Sequence, residues 1–168
     1  MFVQEKAVIV EHKFNDFNKI ISSWQDFLKN NGWQELIIGI APKNSGCGLI
    51  YELPNFLNRP NESFAIADMR NIKFAEPHYH PTGETEIYFV LSGTALIYVG
   101  GKENKVKAGD VIIIEPNNAH FTIPDKDFVI AAVNTPPFRP ENYICLTETN
   151  HSVGFDLEKF NQIISQES

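Results

Sequence analysis

Residues 78–93 read HYHPTGETEIYFVLSG, and residues 109–120 read GDVIIIEPNNAH. Alternate side chains of a strand share a face, so His78 and His80 project together, about 6–7 Å apart along the backbone, and can reach one ion. A carboxylate precedes the first apolar run, and His120 follows the second. Neutral imidazoles with one carboxylate suit a first-row divalent metal and leave coordination positions open. The two stretches therefore predict a metal site, and the alternative is a metal-free polar core.

Short apolar runs, many of them β-branched or aromatic, surround these stretches and are separated by Pro, Gly and Asn. The runs are Leu36–Ile40, Gly48–Leu53, Phe64–Ala67, Glu86–Leu91, Thr94–Val99, Val111–Ile114 and Phe128–Val133. Several short strands with turn signals between them predict a sandwich or a barrel rather than a parallel α/β sheet. The two prolines of the segment 134–138 cannot donate backbone hydrogen bonds, so a strand is expected to end there.

The flanks of this region have a different pattern. Residues 2–14 resemble a strand, and the apolar spacing of residues 17–28 predicts an amphipathic helix over about 16–30. A second, short helix is expected over about 156–166, with Asp156 as its cap. No repeat or linker divides the sequence, which predicts a single domain over 1–168.

Composition narrows the classes of function. The net charge is −7, and the three arginines form no basic stripe, which argues against a nucleic-acid partner. No apolar run approaches the roughly 18–20 residues of a membrane helix, and the N-terminus does not resemble a signal peptide. We therefore expect a cytoplasmic protein, in which Cys47 and Cys145 are free buried thiols rather than a disulfide.

The pattern His-x-His, then Glu-x6-Gly, then Gly-x10-His resembles the two sequence motifs of the cupin superfamily. The motifs cover roughly residues 72–124, with 15 residues between Gly93 and Gly109. The resemblance implies an all-β double-stranded β-helix, or jelly-roll, barrel over about residues 35–150 with a metal ion inside it. It implies as ligands His78, His80, Glu86 and His120.

Three positions depart from the motifs. Ile72 stands where the family has a glycine before the first histidine, and Glu115 and Asn117 replace a proline and a glycine in the second motif. Asn tolerates the left-handed backbone angles that a glycine would supply, so this turn is expected to survive. A buried Glu115 would be costly unless it is paired or lies at the barrel rim.

The carboxylate ligand is a choice between Glu84 and Glu86. Five residues separate His80 from Glu86, one more than is usual in the family, whereas Glu84 fits that gap better. Glu86 keeps the six-residue spacing to Gly93, and the loop before it can absorb an extra residue. We therefore prefer Glu86 as the ligand, with Glu84 as an outer neighbour or a base.

The predicted function is that of a metalloenzyme acting on a small organic molecule. The ion is expected to be Fe, Mn, Ni or Zn, and the family resemblance implies dioxygenase, decarboxylase, isomerase or cyclase chemistry. The alternative is a non-catalytic module in which the metal anchors a small ligand. Candidate catalytic residues are Glu84 and Tyr88; Tyr88 shares the parity of Glu86 and equally well fills the barrel interior.

The remaining predictions concern other side chains and assembly. Thr122 shares the parity of His120 and either orients a ligand or fills the core. His12 and His151 lie outside the motifs and are interpreted as surface residues. A homodimer is expected through a sheet edge, to which the N-terminal strand 2–14 contributes.

Overall fold

The computed structural model describes residues 32–53, 61–81, 83–147, 153 and 155–166. These residues form eleven strands and one α-helix. The strands are β1 (Lys43–Ser45), β2 (Gly48–Glu52), β3 (Ser63–Asp68), β4 (His78–Tyr79), β5 (Thr85–Ser92), β6 (Thr94–Val99), β7 (Lys102–Lys107), β8 (Val111–Ile114), β9 (His120–Pro124), β10 (Val129–Thr135) and β11 (Ile144–Cys145). The helix, α1, is Leu157–Gln166, and short 3₁₀ helices cover Trp33–Ile37 and Pro140–Asn142.

The strands form two antiparallel sheets. The six-stranded sheet has the order β1-β2-β3-β10-β5-β8, and the five-stranded sheet has the order β11-β4-β9-β6-β7. The chain crosses between the sheets at several points, such as from β5 to β6 and from β9 to β10, whereas β1 to β3 and β6 to β7 are neighbours within one sheet. This two-sheet arrangement is the jelly-roll barrel that the family resemblance implies.

Alternation along the strands gives the six-stranded sheet two buried faces. On β10, Ile130 and Ala132 pack inside the barrel, whereas Val129, Ala131 and Val133 belong to a second cluster. That second cluster includes Trp33 from the 3₁₀ segment, so the six-stranded sheet is covered on its outer face as well. A strand buried on both faces is nearly continuously apolar, and β10 has that pattern.

The C-terminal helix covers the five-stranded sheet. Phe160 is 2% exposed and contacts Phe121 edge-on, at a ring-centroid distance of 4.9 Å. Phe121 in turn stacks on Tyr98 at 4.5 Å. Asp156 accepts a hydrogen bond from the backbone N–H of Lys159 at 2.9 Å, which caps the helix as predicted. The predicted short C-terminal helix is confirmed.

Two turns carry the special backbone angles that their sequence suggested. Gly93, at the corner between β5 and β6, has φ 74°, and a Cβ there would overlap the backbone of Lys126 and Asp127. Asn117 has φ 62°, in the left-handed region that the family's glycine would occupy. The second motif's turn therefore survives its substitution, with Glu115 half-buried beside it.

Most of the predicted strands are confirmed, whereas one predicted run is not a strand and the predicted runs do not include β1, β7, β9 and β11. Thr94–Val99 and Val111–Ile114 are strands with the predicted bounds, and β10 ends at Thr135, before the two prolines. Leu36–Ile40 is not a strand, because its first residues belong to a 3₁₀ helix whose apolar side chains cover the outer face of the six-stranded sheet. The prediction missed β7, an edge strand whose side chains are mostly exposed and charged.

The predicted strand 2–14, the helix 16–30, His12 and His151 lie outside the described residues. Among the helices of the described segments, none is long and apolar enough to cross a membrane. Cys47 and Cys145 are free, as predicted, although both are only half-buried.

Candidate metal centre

The predicted metal residues come together between the two sheets. His78 lies on β4 opposite His120 on β9, and His80 follows β4 directly. Glu86 belongs to β5 in the other sheet, where it pairs with Asn134 and Ile114. The site therefore bridges the barrel, and its assembly depends on the packing of one sheet against the other.

One donor atom from each of these four residues lies within 4.8 Å of the other three, and all four residues are buried. The Glu86 Oε2 atom is 3.1 Å from Nε2 of His120 and 3.3 Å from Nε2 of His80. The ring centroids of His78 and His120 are 4.1 Å apart. Glu84 does not belong to this cluster.

Hydrogen bonds behind the three imidazoles determine which nitrogen faces the cluster. Each Nδ1 lies against a backbone carbonyl: His78 against Glu76 at 2.8 Å, His80 against Asn142 at 3.2 Å and His120 against Asn118 at 3.0 Å. A carbonyl only accepts, so each Nδ1–H is the donor, and the Nε2 of each neutral imidazole carries a lone pair. This is the tautomer of a metal-ligating histidine whose outer nitrogen is held by the protein.

The cluster fits a cation. Several lone pairs and a carboxylate face one another in a buried space, which is repulsive without a positive charge between them. Within the described part of the chain, the buried Nε2 of His80 has no hydrogen-bond partner, although Glu86 lies near it. Three imidazoles and one carboxylate are a donor set for Fe, Mn, Ni or Zn.

The electrostatics of the cluster are strongly coupled. Burial lowers the pKa of His78 well below its usual value, and the neighbouring His120 adds to that effect. Burial also opposes charge on His80, but the carboxylate of Glu86 close by outweighs it and raises the pKa of His80. For Glu86, the neighbouring His120 and His80 outweigh burial and hold its pKa well below the usual range. Glu86 therefore stays ionised, as a ligand carboxylate must.

Glu84 lies behind His80, away from the cluster. Its Oε1 atom accepts a 2.8 Å hydrogen bond from Asn134 and is 3.4 Å from Nδ1 of His80, and its Oε2 atom accepts a hydrogen bond from Asn142 at 3.2 Å. Burial raises the pKa of this carboxyl, and His80 partly offsets that shift. Its side chain is 1% exposed and does not line the cavity described next.

An open cavity of about 1240 Å³ adjoins the cluster and is bounded partly by His78, His80 and Glu86. Its floor is the inner face of the six-stranded sheet. Strand pairing aligns Glu52, Ala65, Ala132 and Tyr88 in one row across β2, β3, β10 and β5. Three strand spacings make this row about 14 Å long, and two alanines at its centre leave the space open.

Tyr88 points into this cavity, as its parity predicts, and is 4% exposed. Burial raises its pKa well above the usual value, and the nearby Glu86 raises it further. Thr122 is 1% exposed and does not line the cavity, so it fills the core; its backbone oxygen accepts a hydrogen bond from Ala75 at 2.8 Å.

Sequence reasoning missed one wall of the cavity. Tyr143 stacks on His78 at a centroid distance of 4.2 Å, and Phe138 meets His80 edge-on at 6.1 Å. The Tyr143 hydroxyl is 3.7 Å from the sulfur of Cys47, whose pKa burial raises to about 11. Phe138 and Tyr143 follow the two prolines, and Cys47 precedes the first motif. None of the three stands at a spacing that either motif defines, so no sequence signal connected them to the histidines.

The cupin domain family matches residues 73–130, a segment that contains both histidine stretches. Residues 73–130 are similar to a cupin domain. The match covers the four clustered residues, and the two-sheet barrel around them agrees with it.

Solved structures share the fold of this chain. A Streptomyces PAC13 structure with uridine matches at 13% identity and TM-score 0.55, covering 68% of this chain and 95% of that one. A protein from Planctomyces limnophilus matches at 23% identity and TM-score 0.56, over 64% and 91% of the two chains. A predicted oxalate decarboxylase from Thermotoga maritima matches at 22% identity and TM-score 0.53, over 60% and 96%. No curated protein matches the sequence.

Proposed function

We propose that this cupin domain binds one divalent transition-metal ion through His78, His80, Glu86 and His120 and acts as a metalloenzyme on a small organic molecule in the adjoining cavity. The observation that carries the proposal is the convergence of three Nε2 lone pairs and one ionised carboxylate in a buried cluster. Such an arrangement is stabilised by a cation and leaves open coordination positions.

The surrounding residues have distinct parts in this proposal. The bound ion would supply Lewis acidity toward a substrate oxygen. Glu84 is a positioning residue, because its carboxylate lies beside Nδ1 of His80 and is itself held by two amide donors. Tyr88 is protonated at neutral pH, since its pKa is raised, and its hydroxyl serves as a hydrogen-bond donor in the cavity rather than as a base.

The reaction class is proposed at the level of dioxygenase, decarboxylase, isomerase or cyclase chemistry on a small molecule. Two structural neighbours support an enzyme of this kind: Pac13 is described as a nucleoside dehydratase, and the Thermotoga maritima protein as a predicted oxalate decarboxylase. The open cavity beside the cluster supports it as well, because a purely structural metal site would be closed.

Elemental analysis tests the metal. Protein purified without chelators and without an affinity tag is expected to contain, or to take up, about one equivalent of Fe, Mn, Ni or Zn per chain. Less than about a tenth of an equivalent, with no uptake when each metal is added, would contradict the proposal.

Paired carboxylate variants test the ligand set. Glu86→Ala removes a clustered donor, so the protein is expected to lose its metal. Glu84→Gln keeps the shape of the outer carboxylate, and we expect full stoichiometry with an affinity about 10-fold lower, because outer partners of a ligand contribute about that much. Metal content and a chelator competition measure both effects. The reverse ranking would assign the carboxylate ligand to Glu84.

The single domain over 1–168, the homodimer and the cytoplasmic location stay predictions.

A further inference from the structure

A second polar group, outside the metal cluster, lines the same cavity. Glu76 lies two residues before His78, and both side chains border the cavity. Residues two apart along an extended chain are about 6–7 Å apart, so a small molecule on the ion would come within reach of the Glu76 carboxylate.

The protein makes room for the Glu76 side chain. The turn between β1 and β2 contains Gly46, and a Cβ at that position would overlap the Glu76 carboxylate. The backbone N–H of Glu76 donates to the Gly46 carbonyl at 3.1 Å, which holds the turn against this residue. The Glu76 carboxylate thus lies against Gly46 at the wall of the cavity, which Cys47 and Tyr143 also line.

The charged residues around the cavity are mostly acidic, so its lining accepts hydrogen bonds and carries negative charge. The charged side chains that line the cavity are Lys43, Glu52, Glu62, Glu76 and Glu86. Lys43 is the one cation among these described lining residues, and it pairs with Glu52 at 2.6 Å. The Lys43 ammonium group is therefore already paired with the Glu52 carboxylate. A second anionic group on a ligand would meet repulsion at Glu76, whereas a hydroxyl or an ammonium group would find an acceptor.

We propose that the substrate pairs an oxygen donor for the metal with a hydroxyl or ammonium group that Glu76 binds, and that the cavity excludes molecules with a second anionic group at that position. This proposal rests on the proposed function and names the substrate class of its site. Tyr143 extends the wall, because it stacks on His78 and lines the same cavity as Glu76. Glu76 is then a specificity-determining residue, and the metal ligands are the same four residues.

Matched probes test the proposal on the full chain loaded with one equivalent of Zn or Mn. The probes are 4-aminobutanoate and 5-aminopentanoate against succinate and glutarate, which replace the ammonium group with a carboxylate at similar length. Calorimetric titration is expected to show the amino acids binding about 10-fold or more tightly than the dicarboxylates, since a hydrogen bond to a charged group contributes about that much. In Glu76→Gln the preference is expected to fall to about threefold or less, with the metal content unchanged.

Glu35→Gln is the control, because it removes the same charge from an exposed position outside the cavity. It is expected to keep the wild-type preference. Equal binding of the two series, no detectable binding of the amino acids up to about 10 mM, or a preference unchanged in Glu76→Gln would each overturn this proposal while leaving the metal assignment intact. A protein that takes up no metal would instead contradict the proposed function, and this inference with it.

Discussion

Asp68, at the end of β3, shows how single residues hold a buried charge in this protein. Its side chain is 2% exposed, and its carboxylate accepts hydrogen bonds from Nε and Nη2 of Arg70 at 2.8 and 2.6 Å. The Arg70 guanidinium lies 5.2 Å from the ring centroid of Trp33, so the pair also connects β3 to the 3₁₀ segment. Hydrogen bonding from Arg70 outweighs burial and lowers the pKa of Asp68.

Asp68→Asn is expected to lower the free energy of unfolding at neutral pH by about 2 kcal/mol, because it removes a charge-assisted hydrogen-bonded pair. The folded-state pKa lies below the unfolded value, so the carboxylate's contribution is present above about pH 4 and is lost as the pH falls through the folded-state pKa. The difference between wild type and variant should therefore shrink in acid. Urea denaturation at several pH values measures it.

The Lys43–Glu52 pair is the matched contrast. Both side chains are more than half exposed, at 67% and 58%. Glu52→Gln should change the free energy of unfolding by less than about 1 kcal/mol at any pH, because exposed ion pairs are screened by water and salt. A pH-independent deficit in Asp68→Asn, or an equal effect of both substitutions, would contradict the assignment.

At the scale of an element, the corner between β5 and β6 decides how the chain passes from one sheet to the other. Gly93 has φ 74°, and the backbone of Lys126 and Asp127 approaches it closely. Thr94 follows it and exchanges backbone hydrogen bonds with that segment, donating to Lys126 at 3.2 Å and accepting from Asp125 at 3.0 Å. The corner joins β5, which carries Glu86, to β6 beside β9, which carries His120.

Gly93→Ala and Gly101→Ala separate backbone strain from steric overlap. Gly101 has φ 77° but open space around its missing Cβ, so Gly101→Ala should cost about 1 kcal/mol of unfolding free energy. Gly93→Ala adds overlap with packed backbone, and about 3 kcal/mol is expected in total. Denaturant unfolding of the two variants measures the difference, and equal costs would show that the corner relaxes freely.

For the whole molecule, the main feature is that the six-stranded sheet is packed closely on its outer face, whereas part of its apolar inner face borders the cavity. Ala131 is fully buried against the outer cluster with Trp33, whereas Ala132 lies on the inner face and lines the cavity. The cavity exists because small residues occupy the row between Glu52 and Tyr88, where larger side chains would fill a barrel interior.

Two neighbouring substitutions on β10 test this asymmetry. Ala132→Leu extends into the cavity and should change the free energy of unfolding by less than about 1 kcal/mol. Ala131→Leu inserts the same atoms into a packed cluster and should cost about 3 kcal/mol. Urea denaturation compares the two. If Ala132→Leu were as destabilising as Ala131→Leu, the space beside the metal cluster would not be open in solution.

The sequence by itself determined the features that depend on local spacing. A periodicity of two residues predicts that His78 and His80 share a face, and short apolar runs predict β6, β8 and β10. A periodicity of 3.6 residues predicts the C-terminal helix. Asn117 was recognised as a glycine substitute because its left-handed angle is a property of a single residue. Strand β7 was missed because an exposed edge strand has little apolar alternation to reveal it.

Only the tertiary structure decided which side chains meet. By spacing alone, both Glu84 and Glu86 fit the metal cluster; pairing of β5 with β10 and β8 places Glu86 in it and leaves Glu84 behind His80. Glu76 and Tyr143 are 67 residues apart in the sequence, yet they share one cavity wall. Such contacts depend on the packing of two sheets across the barrel, and no local periodicity encodes that distance.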